Sequence, residues 1–94
     1  MFYVKAQIPE KKKTVFARFW REDEFLVNGR FVPDLQQATV FPTEDLAAEG
    51  LLWFSRFFSS EDLIFLSVEE ITRETFDHGA EERAAIAFFA SLPD

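Results

Sequence analysis

Cysteine is absent from this chain, and histidine occurs only once. Without cysteine there can be no disulfide, no thiolate zinc site, no iron–sulfur cluster and no thiol nucleophile. Glycine-rich phosphate loops, nucleophile elbows and catalytic triads are missing as well. We therefore expect a protein that is not an enzyme and that has no catalytic, metal-binding or cofactor-binding residues.

Long hydrophobic runs are also missing. No segment approaches the ~20 consecutive apolar residues of a membrane-spanning helix. Residues 1–8 lack the basic start, the apolar run and the cleavage site of a secretory signal. Together with the lack of cysteine, these absences predict a cytoplasmic protein that does not bind a membrane.

Phenylalanine, in contrast, is abundant: it occupies 13 of the 94 positions, in a composition that is 48% hydrophobic. Burial of one Phe side chain stabilises a fold by ~1.5–3 kcal/mol. A chain this rich in Phe can therefore fill a core despite its small size. The length predicts a single domain, residues 1–94.

Charge is divided unevenly along the chain. Residues 1–21 carry six basic side chains against Glu10 alone, a net of +5, whereas residues 22–94 carry four arginines against 16 acids, a net of −12. Complementary potentials favour the association of an acidic surface with a basic one. The split therefore points to a class of partner and not to a reaction.

Two strands and a further hairpin are predicted in the first third of the chain. Residues 2–8 alternate apolar and polar side chains, which is typical of a half-buried strand. Residues 14–20 are partly apolar on both faces, which predicts a central strand. Asn28-Gly29 is flanked by two short apolar segments within 25–32, and this pattern predicts a hairpin with a type I′ turn.

The later strands are less regular. Residues 37–41 predict a further short strand. The apolar run in 63–68 predicts an interior strand. Residues 68–76 suit a pleated surface, but Ser67-Val-Glu-Glu also fits a helix capping box, so both structures stay open and we favour the strand.

Two helices are predicted. Thr43 is a good N-cap for a helix over 43–58, and Gly50 within it would allow close approach to the sheet. Residues 79–92 predict a second helix, which Pro93 ends. Overall, the sequence predicts an α+β fold: a mainly antiparallel sheet of four to six strands with these two helices packed on it.

Chemistry-bearing residues are few. His78 lies in a predicted turn, and a metal site or a general base would need partners beside it. We interpret it as a solvated turn residue. The acidic pairs Glu44-Asp45 and Glu81-Glu82 open helices, where the helix dipole favours acids.

A basic and aromatic hairpin suggests one function. Lys11, Lys12 and Lys13 lie in a predicted turn, with Arg18 and Trp20 on the strand that follows. Single-stranded nucleic acids bind surfaces that combine cations with stacking rings. The net charge of −7 opposes phosphate binding, so nucleic-acid binding through residues 3–21 is the alternative and not the favoured function.

Protein binding is the favoured function. Trp53 and Leu52 lie off the main apolar stripe of the first helix, and apolar residues all round a helix indicate burial on two sides or a partner. Glu69 and Glu70 offer an acidic pair to a basic partner. We predict a small acidic protein-binding module that uses these four residues. A homodimeric structural protein is a further alternative.

Residues 29–48, GRFVPDLQQATVFPTEDLAA, resemble a module of small phage and prophage proteins. The shared features are an aromatic strand, Ala-x-x-Phe, and Thr-Glu-Asp-Leu-Ala opening a helix; the start Tyr3-Val4-Lys5 also fits. The resemblance covers about a third of the chain and carries no functional residues over. It implies an accessory protein made in a host cytoplasm, where some small acidic phage proteins inhibit nucleases by occupying their nucleic-acid channels.

Overall fold

The computed structural model describes residues 1–56, 64–71 and 79–91 and shows an α+β fold. Its elements, in chain order, are β1 (Phe2–Ile8), β2 (Lys13–Arg21), β3 (Val27–Val32), α1 (Glu44–Ser55), β4 (Phe65–Glu70) and α2 (Ala80–Ala90). The strands form one antiparallel sheet in the order β3-β2-β1-β4, and both helices contact it. The predicted class, the antiparallel sheet and the two helices are confirmed.

β1 and β2 form the hairpin that the alternating pattern indicates. The alternation places Val4 and Phe19 on the same, buried side of the sheet. Pro9–Lys11 makes one 3₁₀ turn between the strands, closed by a hydrogen bond from the Lys12 N–H to the Pro9 carbonyl at 3.0 Å. β2 lies between β1 and β3, so its predicted central position is confirmed.

The turn predicted at Asn28-Gly29 is wrong. Val27–Val32 is one continuous strand, and Gly29 does not have the positive φ that a type I′ turn requires. The chain reverses earlier instead, where the Glu22 N–H donates to the Leu26 carbonyl at 2.9 Å. The Asn-Gly signal is local, and contacts from elsewhere in the fold override it.

Those contacts come from aromatic rings that approach the backbone. A Cβ on Gly29 would lie 2.9 Å from Cζ3 of Trp53 and 3.3 Å from Cδ1 of Phe19. A Cβ on Gly50 would lie 3.0 Å from Cζ of Phe41. Both glycines therefore serve close packing and not turns, which confirms the predicted close approach at Gly50.

Residues 38–41 fill a split between β1 and β2. The Thr39 N–H donates to the Ala17 carbonyl of β2 at 3.1 Å. Two residues further on, Phe41 exchanges two backbone hydrogen bonds with Phe2 of β1, at 2.7 and 2.9 Å. This segment, hereafter the wedge, thus bonds to both strands where they no longer pair with each other.

The strand predicted over 37–41 is therefore wrong. Leu35–Gln37 is a short 3₁₀ helix capped by Asp34, whose carboxylate accepts from the Gln36 N–H at 3.0 Å. After it, the chain makes only a single bridge, at Phe41. No ladder forms, because the backbone groups of the wedge are divided between two strands.

Helix α1 begins where the sequence predicts. The Thr43 hydroxyl accepts from the Leu46 N–H at 3.2 Å, and Glu44 and Asp45 occupy the first turn. Residues 57 and 58 of the predicted helix lie outside the described residues. Helix α2 confirms the second prediction over the part of 79–92 that is described.

β4 lies at an edge of the sheet in the described part of the chain, so the interior position predicted for residues 63–68 is wrong. Among the described strands, its only neighbour is β1. The apolar run misleads because Phe65 is 60% exposed, whereas Leu66 and Val68 pack against the core. Residues 68–70 are strand, which is the structure that we favoured over a helix for residues 68–76. Residues 72–78, which include the rest of that segment and His78, lie outside the described residues.

The Thr39 side chain gives a direct test of the wedge. Its hydroxyl is fully buried and accepts from the Phe19 N–H at 2.8 Å. We expect Thr39→Val to lower the free energy of unfolding by ~1–3 kcal/mol, because it leaves that N–H buried without an acceptor. Chemical denaturation measures the loss. Thr14→Val, at an exposed position of β2, is the control and should stay within about 0.5 kcal/mol of wild type; equal losses would contradict the role of the hydroxyl.

Candidate protein-binding surface

The outer edge of β3 directs backbone groups away from the sheet. The Phe19 N–H bonds to Thr39, so Phe19 turns its backbone toward the wedge and away from β3. Gly29 lies opposite Phe19. Because opposed residues in an antiparallel pair either exchange both hydrogen bonds or both turn away, Gly29 directs its N–H and C=O outward. No strand of residues 1–56, 64–71 or 79–91 pairs with that edge.

An apolar groove of about 400 Å³ lies along this edge. It is lined by residues 26–31 together with Trp53 and Phe54 of α1. A second hollow of about 200 Å³ shares Leu26 and Trp53 with it and extends to Phe88 of α2. These lining residues, with the neighbouring Phe25, are hereafter the β3 groove.

Two large apolar side chains stand at one end of the groove. Phe25 is 85% exposed and Leu26 is 51% exposed. The loop that carries them is ordered by hydrogen bonds: Arg21 donates to the carbonyls of Asp23 and Glu24 at 2.7 Å, and the Phe25 N–H donates to the Asp23 carboxylate at 2.7 Å. Their exposure is therefore built into the fold.

Of the four residues predicted to bind protein, only Trp53 lines the groove. Its half-buried ring packs at 5.7 Å from that of Phe19 and at 5.1 Å from that of Phe54. Leu52 is 52% exposed but is not part of the lining. It is a separate apolar side chain on α1.

Glu69 and Glu70 lie on β4, three strands away from β3, or ~14 Å at the usual strand spacing. Successive strand residues point to opposite faces, so the two carboxylates do not form one patch. Glu69 is half-buried and accepts from the Ser67 hydroxyl at 3.3 Å. The four residues predicted to bind protein therefore lie on separate surfaces and do not form one site.

The residues of the nucleic-acid alternative are also separated. Lys13 and Trp20 stand seven residues apart on β2, a distance of ~23 Å, and the other two lysines lie beyond Lys13 in the turn. The indole N–H of Trp20 donates to the Glu22 carboxylate at 3.0 Å. Arg18 forms an ion pair with Glu82. The structure therefore brings Arg18 beside Trp20 but leaves the three lysines at the other end of the strand.

Phe25 and Leu26 are the residues that sequence reasoning missed as a site. They were placed in the first strand of a predicted hairpin, where alternate side chains would be covered. The available signal was their position directly after Arg21-Glu-Asp-Glu. Two large apolar side chains that follow a charged loop directly are candidates for exposure at the surface.

Other chemistry is sparse in the described part of the chain. No three histidine, aspartate or glutamate side chains of that part come together as metal ligands. Neither α1 nor α2 has the length and apolar character that a bilayer-spanning helix needs. Comparison of the chain with protein-family models, with curated proteins and with solved structures finds no match. Its function must therefore be inferred from its own surface.

Tyr3, the single tyrosine, reports on Glu69. Burial and, to a smaller extent, the Glu69 carboxylate raise the pKa of Tyr3 above its ordinary value of 10.0. The folded state thus holds the phenol proton more tightly than the unfolded state does. The stability that this contributes is complete below pH 10.0 and is lost as the pH rises through the folded pKa.

We expect Glu69→Gln to lower the pKa of Tyr3 while leaving it above its ordinary value, because burial is the larger cause. Titration of the near-ultraviolet absorbance of tyrosinate measures this. Glu70→Gln serves as the control, since that carboxylate points to the other face of the sheet. A larger effect from Glu70 would show that the β4 register is wrong.

The ion pair between Arg18 and Glu82 joins β2 to α2. Its carboxylate is nearly buried, whereas the side chain of Arg18 is 32% exposed. We expect Glu82→Gln to cost ~1–3 kcal/mol of unfolding free energy. Glu81→Gln, in the same first turn of α2, has the same effect on the helix dipole and provides the comparison. Similar losses for both variants would assign the effect to the dipole and not to the pair.

Proposed function

We propose that this protein is a non-enzymatic protein-binding module whose partner docks on the β3 groove. One observation carries the proposal. Phe25 and Leu26 are held exposed by an ordered loop, beside an apolar groove and a strand edge with which no described strand pairs. Contiguous exposed apolar surface on a small protein is typical of an interaction site.

The charges around the groove indicate the chemistry of its rim. The loop that carries Phe25 also carries three exposed acids, Glu22, Asp23 and Glu24, and the whole chain has a net charge of −7. A partner with an apolar centre and a cation at its border fits this arrangement. Charges at a rim act mainly on the association rate and on its salt dependence.

The wider biological setting belongs to the same proposal. The resemblance to phage and prophage proteins implies an accessory protein made in a host cytoplasm, where host proteins are available as partners. Single-stranded nucleic-acid binding has less support, because Lys11, Lys12 and Lys13 lie far from Trp20 and because Arg18 is paired.

Two leucines of matched exposure test the groove. Leu26 is 51% exposed and lines it, whereas Leu52 is 52% exposed and does not. We expect Leu26→Ser to weaken partner binding by about tenfold, the loss of one buried apolar contact, and Leu52→Ser to leave it unchanged. The partner is first captured from a cell lysate on immobilised wild type and then purified, and titration calorimetry measures its affinity for each variant.

The reverse ranking would place the binding surface on the outer face of α1 and contradict the proposal. Repetition at low and high salt separates the two contributions. Affinity that survives high salt but falls with Leu26→Ser belongs to the apolar groove. Affinity that is lost at high salt and is unchanged by Leu26→Ser and by Leu52→Ser would instead be due to an acidic surface elsewhere.

A further inference from the structure

We propose that the occupant of the β3 groove is β3 of a second copy of this chain, paired antiparallel about a twofold axis at Gly29. This inference rests on the proposed function and names its partner. Three features support it: the direction of the Gly29 backbone, an arginine that makes no ion pair within the described part of the chain, and a carboxylate placed where that arginine would arrive.

The backbone geometry fits pairing at this residue. Gly29 directs both its polar groups to the open edge, so two Gly29 residues related by a twofold axis can exchange two hydrogen bonds. In the single chain, the Gly29 N–H is instead covered by the side-chain oxygen of Asn28, at 2.9 Å. Pairing would replace that bond between neighbours with one between chains.

Arg30 supplies the electrostatic part. Its side chain is exposed, and in the described part of the chain no carboxylate lies within ion-pair distance of it. Within its own sheet it stands directly opposite Arg18, an unfavourable neighbour of like charge. Arg18 already has Glu82 as its partner. Among the described residues, Arg30 therefore makes no ion pair, although Glu81 lines the same hollow as Arg30.

A second copy offers the missing carboxylate. Centring the pair on Gly29 sets Arg30 of one chain opposite Asn28 of the other, in a closely spaced position where side chains meet. The amide of Asn28 donates to a carboxylate oxygen of Glu22 at 3.1 Å, so that carboxylate lies beside the arriving guanidinium. The twofold axis makes this contact twice.

The same pairing explains the apolar groove. A twofold axis brings the same surface of both chains together, so the two β3 grooves face one another. Trp53, which packs against Gly29 beside the axis, then approaches Trp53 of the second copy, whereas Leu26 faces the other end of the second β3, near Val32. One contact thereby pairs an open edge, neutralises Arg30 and covers Leu26.

An exposed arginine on an edge strand has a competing explanation. Monomeric proteins place charges on such edges to block pairing with other chains. The two explanations predict opposite effects of reversing the charge of Arg30. If Arg30 recruits a second copy, its reversal weakens the dimer. If it blocks pairing, its reversal leaves a monomer or promotes association.

Sedimentation velocity over a range of concentrations decides between them. We expect wild type to form a dimer, and Arg30→Glu and Glu22→Arg each to weaken it by about tenfold, since each places two like-charge contacts in the pair. The double variant Arg30→Glu, Glu22→Arg should restore the dimer. Lys11→Glu, at the far end of the β1–β2 hairpin, makes the same change in net charge as Arg30→Glu and should leave the dimer intact.

Circular dichroism checks that each variant is folded. Arg30→Glu gives Arg18 a neighbour of opposite charge, so no loss of monomer stability is expected. Glu22→Gln, which keeps the side-chain oxygen that accepts from Trp20, is the milder version of the second reversal and should also weaken the dimer.

Two outcomes would overturn the inference. Wild type that stays monomeric at every concentration excludes self-pairing, and the leucine comparison with a captured protein then judges the proposed function separately. A dimer that is unchanged by Arg30→Glu and by Glu22→Arg but is lost with Leu26→Ser excludes this strand register. The β3 groove would then still be the binding surface.

Discussion

The ring of Phe19 is the contact on which the rest of the fold depends. It is fully buried in the central strand and lies 5.0 to 5.7 Å from four other rings, those of Phe41, Trp53, Phe54 and Phe89. The wedge and both helices therefore meet at one side chain. Such edge-to-face contacts add to the burial of apolar area and fix ring orientation.

The same ring accounts for two glycines. Gly29 and Gly50 both lie against Phe19, from the strand side and from the helix side; a Cβ at Gly29 would displace the Trp53 ring, and one at Gly50 would press on the rings of Phe41 and Phe19. The close packing of Trp53 over Gly29 also shapes the β3 groove. The packing of the core around Phe19 thus determines where the β3 groove lies on the surface.

The sequence predicts this architecture well where the signals are local and periodic. Alternation reveals β1 and β2, and a capping threonine with three- and four-residue spacing reveals α1. It fails where the structure depends on residues distant in the chain. Asn28-Gly29 is a turn signal only until Trp53 packs against it, and residues 37–41 look like a strand because nothing local shows that their hydrogen bonds go to two different strands.

The binding surface could be predicted only in part, for a related reason. Trp53 was found because it breaks the helical stripe, a property that one segment shows by itself. Phe25 and Leu26 become a surface only when the loop is folded and α1 lies beside it. Glu69 and Glu70 are neighbours in sequence, but their side chains point to opposite faces of the sheet. The number of acidic residues in a segment does not show on which face each one lies.

The wedge has a consequence for how the chain folds. β1 and β2 can pair as soon as their short hairpin closes, since their contacts are local. The part of the sheet around Phe19 has to wait, because the acceptor for its N–H is Thr39, 20 residues further along the chain. The hairpin is therefore expected to form first as an incomplete, partly open pair. The arrival of the wedge, together with the aromatic rings of α1 and α2, then converts it into a single cooperative unit.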